Sequence, residues 1–388
     1  VTASAELTIS VHPDAASIPA HEWNRLAANG TEGPPNPFLD HAFFLALEQS
    51  GCATGKTGWQ PQHILIRRGD EAIGLMPMFL KSHSMGEYVF DHAWADAFER
   101  AGGRYYPKLQ SSVPFTPATA PKLLAADDGI ETRMALLGAA ETLAERLGAS
   151  SVHATFVPEA EETLAREAGW LVRHDTQFHW TNEGFANFDD FLTILQSRKR
   201  KAIRRERREA LADGLSVEWV TGSDLTEAHW DAFFAFYMDT GSRKWGRPYL
   251  NREFFSRISE TMADRILLVM ARDGDDYIAG ALNFIGTDTL FGRNWGAVRD
   301  VPFLHFELCY YQAIDFAIER GLKRVEAGAQ GEHKLARGYG PQTTRSIHFI
   351  THPGLRRAVA DYLNEERRAV AMHSEALETY TPFRKSDG

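Results

Sequence analysis

Glu307 sits where an acid is out of place. From about Phe303 the chain has helical periodicity, and at about 100° per residue its apolar stripe runs through Phe303, Phe306, Tyr310, Tyr311, Ile314, Ala317 and Ile318. Gln312, Asp315 and Glu319 fall on the opposite side, whereas Glu307 falls inside the stripe. A carboxylate there must be paired, protonated or lining a cleft, because an unpaired charge is costly to bury. Two roles fit: a general base whose pKa burial raises, or half of a structural ion pair with Lys199 as a candidate partner. His305 projects to the polar side and is the weaker candidate.

A second concentration of chemistry follows the short strand Val325-Glu326-Ala327, in the run from Gly328 to Tyr339. Gly328, Gly331 and Gly338 permit close backbone approach to a ligand, and Gln330, His333, Lys334 and Arg337 supply hydrogen-bond donors. Acyl transfer needs a donor aimed at the developing oxyanion and a base for the amine, and this run offers candidates for both. The alternative is an irregular polar surface loop. It is expected to line the largest cleft, with Lys334 directed into it. Further on the list of candidates, Arg243, Lys244 and Arg247 beside Trp245 and Tyr249 can grip a phosphate and stack on a ring, or serve as cations at a helix C-terminus. In the first half, Tyr88, Asp91, His92, Trp94, Tyr105, Tyr106 and Lys108 form an aromatic and ionisable cluster, part core and part cleft wall.

The elements that must position these groups come in two similar sets. Ile64-Leu65-Ile66 leads through Gly69-Asp70 into Ala72 to Met78, and Ile266 to Met270 leads through Asp273-Gly274-Asp275 into Ile278 to Asn283. Acidic-Gly pairs between such runs mark hairpins. Each set continues into an amphipathic helix stopped by glycine and a short strand: Thr132 to Leu147, Gly148, Ser151 to Ala154; then Phe303 to Arg320, Gly321, Arg324 to Ala327. The order implies an α/β protein of two tandem domains, each a mixed, mostly antiparallel sheet flanked by helices. The expected bounds are 1–185 for the first domain, 186–213 for a connecting basic helix, 214–352 for the second domain with most of the active cleft, and 353–388 for a C-terminal helix and tail.

The connecting helix, about Phe188 to Ala212, carries Arg198-Lys199-Arg200-Lys201, Arg204-Arg205 and Arg207-Arg208. Its apolar stripe, Phe188, Phe191, Leu192, Leu195, Ala202 and Ile203, is continued by Lys199 and Glu206, which should therefore point inward. The rest of the run is a solvated basic face or an anion-binding one.

With 388 residues, 44% apolar and 24% charged, the chain can bury large cores. Its net charge of −10 disfavours DNA and anionic membranes, so an anionic ligand needs a local basic site. Two cysteines, Cys52 and Cys309, exclude a disulfide framework or a thiolate zinc site and suit a reducing compartment. Val1 to Ala20 has no Lys or Arg and no apolar run, and no stretch approaches the roughly 18 apolar residues of a membrane span. The expectation is a cytoplasmic protein. The phosphate-binding loop, serine-hydrolase elbow and zinc-protease helix motifs are all missing, so no metal is expected.

Four segments, Gly86 to His92, Gly102 to Leu109, Ser197 to Arg208 and Val325 to Tyr339, resemble the FemAB-like N-acyltransferases, grouped as peptidoglycan biosynthesis or recognition proteins of the GNAT superfamily. The resemblance extends from Asn36-Pro37-Phe38-Leu39 to Pro382-Phe383. It implies two GNAT-like domains and transfer of an acyl or aminoacyl group to a primary amine by direct attack. By similarity to the Fem peptidyltransferases, Glu326 stands where they have aspartate, Lys334 where they have a transfer-assisting lysine, and Arg243 matches an arginine contacting acceptor phosphates. The candidate catalytic residues are then Lys334, Glu307, Glu326 and His333. The candidate substrate-binding residues are Arg243, Lys199, Trp245, Tyr106, Lys108, Gln330, Arg337 and Tyr339.

Ordinary GNAT enzymes hold CoA pyrophosphate on a glycine-containing loop before the central helix, and Arg299 to Leu304, at that place, has no glycine. No permanent cofactor is implied; the acyl donor is a co-substrate, whether acyl-CoA, acyl carrier protein or aminoacyl-tRNA, and the acceptor is a small-molecule or lipid-like amine. The alternatives are long-chain transfer to a sphingoid-type base, or a non-catalytic module binding a cell-wall precursor or nucleic acid. An inward Glu307 favours the enzyme, since an anion-binding module gains nothing from it.

Overall fold

Hairpins, glycine-stopped helices and short strands recur in the computed structural model, which describes residues 6–29, 33–126, 129–244, 248–328, 331–379 and 381–383, without the side chains of 242–244, 332, 378 and 379. The chain forms two units, Val1–Asp175 with Thr343–Met372, and Thr176–Gln342 with His373–Gly388. These bounds differ from those read off the sequence. The basic helix is part of the second unit and not a separate connector. Of the C-terminal helix, Leu355, Val359 and Leu363 pack with Trp94 and Tyr105 in a core of the first unit.

The first unit has two sheets. Strands β1 (Leu7–His12), β3 (His63–Arg68), β4 (Glu71–Met76) and β7 (Leu124–Ala125) form one, in the order β1-β3-β4-β7, all antiparallel. The β3–β4 hairpin turns at Gly69, whose φ of +61° is the left-handed region glycine tolerates. In the other sheet β2 (Trp59–Pro61) pairs with β5 (Phe79–Lys81), β5 with β6 (Lys108–Ser111), β6 in parallel with β8 (Ser151–Thr155), and β8 with β15 (Gly340–Ile350). Helix α1 (Ile130–Leu147) stops at Gly148, φ +62°, and buries Leu136, Leu137, Ala140 and Ala144 against Ile64, Ile66, Leu109 and Val152.

Lys108, expected to bind substrate, is instead enclosed in this unit. It is 0% exposed and bonds Glu87 at 2.7 Å and Asp91 at 2.5 Å, because two buried carboxylates hold its charge. The same Asp91 oxygen accepts from the Tyr105 hydroxyl. Tyr106 is half-buried and bonds Ser84 at 2.8 Å. Lys81 lies opposite Lys108 across β5–β6, with its ammonium over the Trp59 ring, and burial lowers its pKa to about 7.

A neutral histidine pair extends this cluster. His153 and His348 face each other across β8–β15, Nδ1 to Nδ1 at 2.6 Å, while Ser151 and Ser346 take up the two Nε2 atoms. Burial first, and then neighbouring charge, lowers both pKa values, His153 to about 3. Each ring therefore stays neutral when folded but binds a proton near pH 6.5 when unfolded. Stability from the pair is present above about pH 6.5 and is lost as pH falls towards the folded values, at up to about 1.4 kcal/mol per pH unit for each ring. Glu87, raised to about 7 chiefly by burial, takes up a proton in the folded state and offsets one of the two down to about pH 4.5. Between pH 6.5 and 4.5 this cluster's net share is a fall of about 1.4 kcal/mol per unit, and in urea unfolding His348→Gln should make the slope of the whole chain shallower by up to about that amount. A slope left unchanged by His348→Gln would contradict the neutral pair.

The second unit is one ladder into which β9 (Leu171–Thr181) brings the chain. Its order is β10 (Ser216–Thr221), β11 (Ile266–Asp273), β12 (Asp276–Ile285), β13 (Thr289–Ala297), β14 (Arg324–Glu326), then β9. All pairs are antiparallel except β13 with β14. A parallel neighbour requires a crossover, and it is made by Leu304–Phe306, a π segment Glu307–Tyr311 and an α-helix Gln312–Glu319. Helix α3 (Glu227–Lys244) lies directly on β13 at Gly296, where a Cβ would come 2.2 Å from the Phe236 carbonyl carbon.

The long basic helix is broken. It is Phe188–Thr193 followed by α2 (Ser197–Ala210), because Gln196 is extended and Leu195 bridges to Phe383. Lys199 and Glu206, which the phase of Phe188 turns inward, are both half-buried beyond the break.

Candidate functional site

The site is built where β13 outruns its parallel neighbour. Their pairing runs from Thr289↔Arg324 to Phe291↔Glu326, where β14 ends while β13 continues to Ala297. At that point lies a pocket of about 90 Å³, room for about three waters. β12 contributes Ala281, Leu282 and Asn283, β13 contributes Gly292 to Trp295, the chain after β14 contributes Ala327, and the crossover contributes His305, Cys309 and Tyr310. A β-bulge falls inside this wall: Leu282 pairs with Asn294 but Asn283 with Gly292, so Arg293 is the extra residue. Bulges redirect backbone groups out of the regular ladder.

His305 is half-buried and packed among rings, with Trp295 at 5.1 Å and Tyr310 at 5.4 Å between centroids. Its place in the wall overturns the sequence assignment to the polar side. The π segment is the reason: a stripe drawn at about 100° per residue holds only for a regular α-helix. Cys309, Trp295 and Asn294 were likewise not singled out for this site. The signal that locates them is the mismatch between β13 and β14 lengths, which strand propensity does not show.

Glu307 is fully buried, as its place in the stripe requires. Its partner is Arg207 and not Lys199. Arg207 Nε and Nη2 fork onto the two carboxylate oxygens at 3.1 and 2.8 Å, Gln312 donates at 2.7 Å, and Arg207 also bonds Asp315 at 2.6 Å. Burial opposes the charge of Arg207, but the bonds and charges of Glu307 and Asp315 win and raise its pKa. The guanidinium stacks 4.3 Å over Phe188. Lys199 is half-buried and makes no ion pair among the described residues.

Of the described residues after β14, Lys334, Arg337 and Tyr339 are buried and none from Gly331 to Tyr339 is among the described residues lining the pocket. Lys334 is 2% exposed and donates to the Gly328 carbonyl at 3.0 Å; burial lowers its pKa to about 8, against the influence of Cys309. Arg337, expected to hold substrate, is buried, bonds Glu206 through Nη2 and stacks 3.4 Å over Phe306. Tyr339 is a core residue with its hydroxyl on the Tyr310 carbonyl. His333 is exposed and bonds the Tyr310 hydroxyl at 2.9 Å; partial burial and then Arg337 and Lys334 lower its pKa. Glu326 is buried 3.9 Å from His179, which burial and then Arg324 and Lys334 hold neutral, down to about 3. Gln330 and Trp245, and the side chain of Arg243, lie outside the described residues.

A larger hollow, about 610 Å³, is in the first unit beside Asn24, Arg25, Pro34 and Asp40, and holds none of the candidates. Among the described residues no group of three or more His, Cys, Asp or Glu is arranged to hold a metal, and no helix is long and apolar enough to cross a membrane.

The chain belongs to the FemAB-like family, described as peptidoglycan biosynthesis/recognition, whose model matches residues 14–385. The crystal structure of FemX is similar over 92% of this chain and 100% of that one, at 13% identity and a TM-score of 0.55. L-PGS from Bacillus licheniformis is similar over 88% and 96%, at 8% identity and a TM-score of 0.50. A C-terminal domain assigned to a lysylphosphatidylglycerol synthetase of Agrobacterium fabrum is similar over 89% and 96%, at 9% identity and a TM-score of 0.50. At such identities the likeness is one of fold, a mixed α/β architecture with mostly antiparallel sheets flanked by helices, as the sequence implied. No curated protein matched the chain in sequence.

Proposed function

We propose that the second unit transfers an acyl or aminoacyl group from an activated ester or thioester to a primary amine, with the chemistry in the pocket between β13 and the crossover. The observation that carries this reading is the coincidence there of a β-bulge, a half-buried histidine and the end of a parallel strand. The amine nitrogen attacks the acyl carbonyl carbon, a C–N bond forms, and the donor's C–O or C–S bond breaks. His305 accepts the amine proton and passes it to the leaving group. Backbone amides at the bulge are the candidate oxyanion donors, and the Lys334 ammonium, bonded to the carbonyl of Gly328 next to Ala327 of the wall, adds positive potential behind it.

Glu307 is then a structural partner, because Arg207 and Gln312 already occupy its carboxylate. The family description makes a peptidoglycan precursor the first acceptor to try. Direct attack requires both substrates together. Initial rates with donor and amine varied should give intersecting double-reciprocal lines; parallel lines would mean an acyl-enzyme and overturn the direct mechanism.

A further inference from the structure

Two adjacent residues of α2 grip the two ends of the π segment. Arg207 forks onto Glu307, the first π residue, and Glu206 accepts from the hydroxyl of Tyr311, the last. Between these ends lie Cys309 and Tyr310, both in the pocket wall. Glu206 is held in turn by Arg337, whose other bond goes to the His333 carbonyl.

The π form matters for what reaches the pocket. In an α-helix, positions four and five beyond His305 lie about 40° and 140° around the axis from it, so one of them faces away. A wider turn draws both back to the side of His305. π geometry is rare and occurs mostly as single turns inside α-helices, so a segment of this kind persists where neighbouring contacts hold it.

We infer that Glu206 and Arg207 are positioning residues that hold the π segment in the form presenting Cys309 and Tyr310 beside His305. The part of this inference that concerns turnover rests on the transfer reading of the pocket; the part that concerns the segment does not. Misplacement of a reacting group by about 1 Å costs on the order of a hundredfold in rate.

The test separates the two. In a Cys52→Ala background, Cys309 is the remaining thiol, and its alkylation by iodoacetamide reports the π segment without reference to catalysis. Glu206→Ala removes the bonds to both Tyr311 and Arg337, whereas Glu206→Gln keeps one acceptor oxygen that the two donors can share. For a Glu206→Ala chain that unfolds cooperatively, the inference expects the alkylation rate to change by about tenfold or more, and turnover to fall by about a hundredfold with KM within about threefold. Glu206→Gln should restore both to within about tenfold of the parent. Should the alanine variant fail to fold, Arg207→Lys, which keeps the charge but loses the fork, is read in the same way. Unchanged alkylation and unchanged turnover in a folded variant would overturn the inference and leave the transfer reading standing. If no donor supports transfer by the parent, the transfer reading fails, and the alkylation rate alone decides the clamp.

Discussion

His305→Gln is expected to lower turnover by about a hundredfold to ten-thousandfold, the range general acid–base catalysis contributes, with little change in KM. Glutamine keeps the volume and a hydrogen-bonding end but cannot take up a proton. Among the described residues the pocket offers no carboxylate to replace it: Asn283 and Asn294 are amides, and the nearby acids Glu307 and Glu326 are buried beside Arg207 and His179. The rate profile of the parent should rise with pH through one ionisation and that limb should vanish in the variant. An unchanged profile would remove His305 from the mechanism.

Arg207→Ala is expected to destabilise the chain by about 3–5 kcal/mol, because it leaves Glu307, 0% exposed, with its charge uncompensated. Arg207→Met combined with Glu307→Leu removes both charges and should recover most of the stability. Urea midpoints of the three chains at pH 7 measure this. A single variant within about 1 kcal/mol of the parent would mean that the pair contributes little.

Much of the scaffold could be read from periodicity. The hairpins at Gly69 and Gly274, the helix stops at Gly148 and Gly321 and the burial of Glu307 follow from local rules that tertiary packing leaves alone. What failed did so where a local rule was extended over an irregularity. Lys199 and Glu206 are half-buried as the phase of Phe188 had them, but the charge that meets Glu307 comes from Arg207, and a regular helix does not describe Glu307 to Tyr311. Lys108 and Arg337 looked like ligand-binding cations because their carboxylate partners, Glu87 and Asp91 for one and Glu206 for the other, come from distant positions in the chain. The pocket itself follows from one strand ending before its neighbour, and residue types carry no mark of that.

Product formation tests the central claim most directly. The full chain is incubated with a primary amine on a peptidoglycan-precursor peptide and, in separate reactions, acetyl-CoA, an acyl carrier protein thioester, and glycyl- or alanyl-tRNA, and the amine is analysed by mass spectrometry. The account predicts an amine heavier by one acyl or aminoacyl group with at least one donor, formed by the parent and reduced at least about a hundredfold with His305→Gln. Binding of the precursor peptide with no mass gain from any donor would contradict it and make the chain a recognition module.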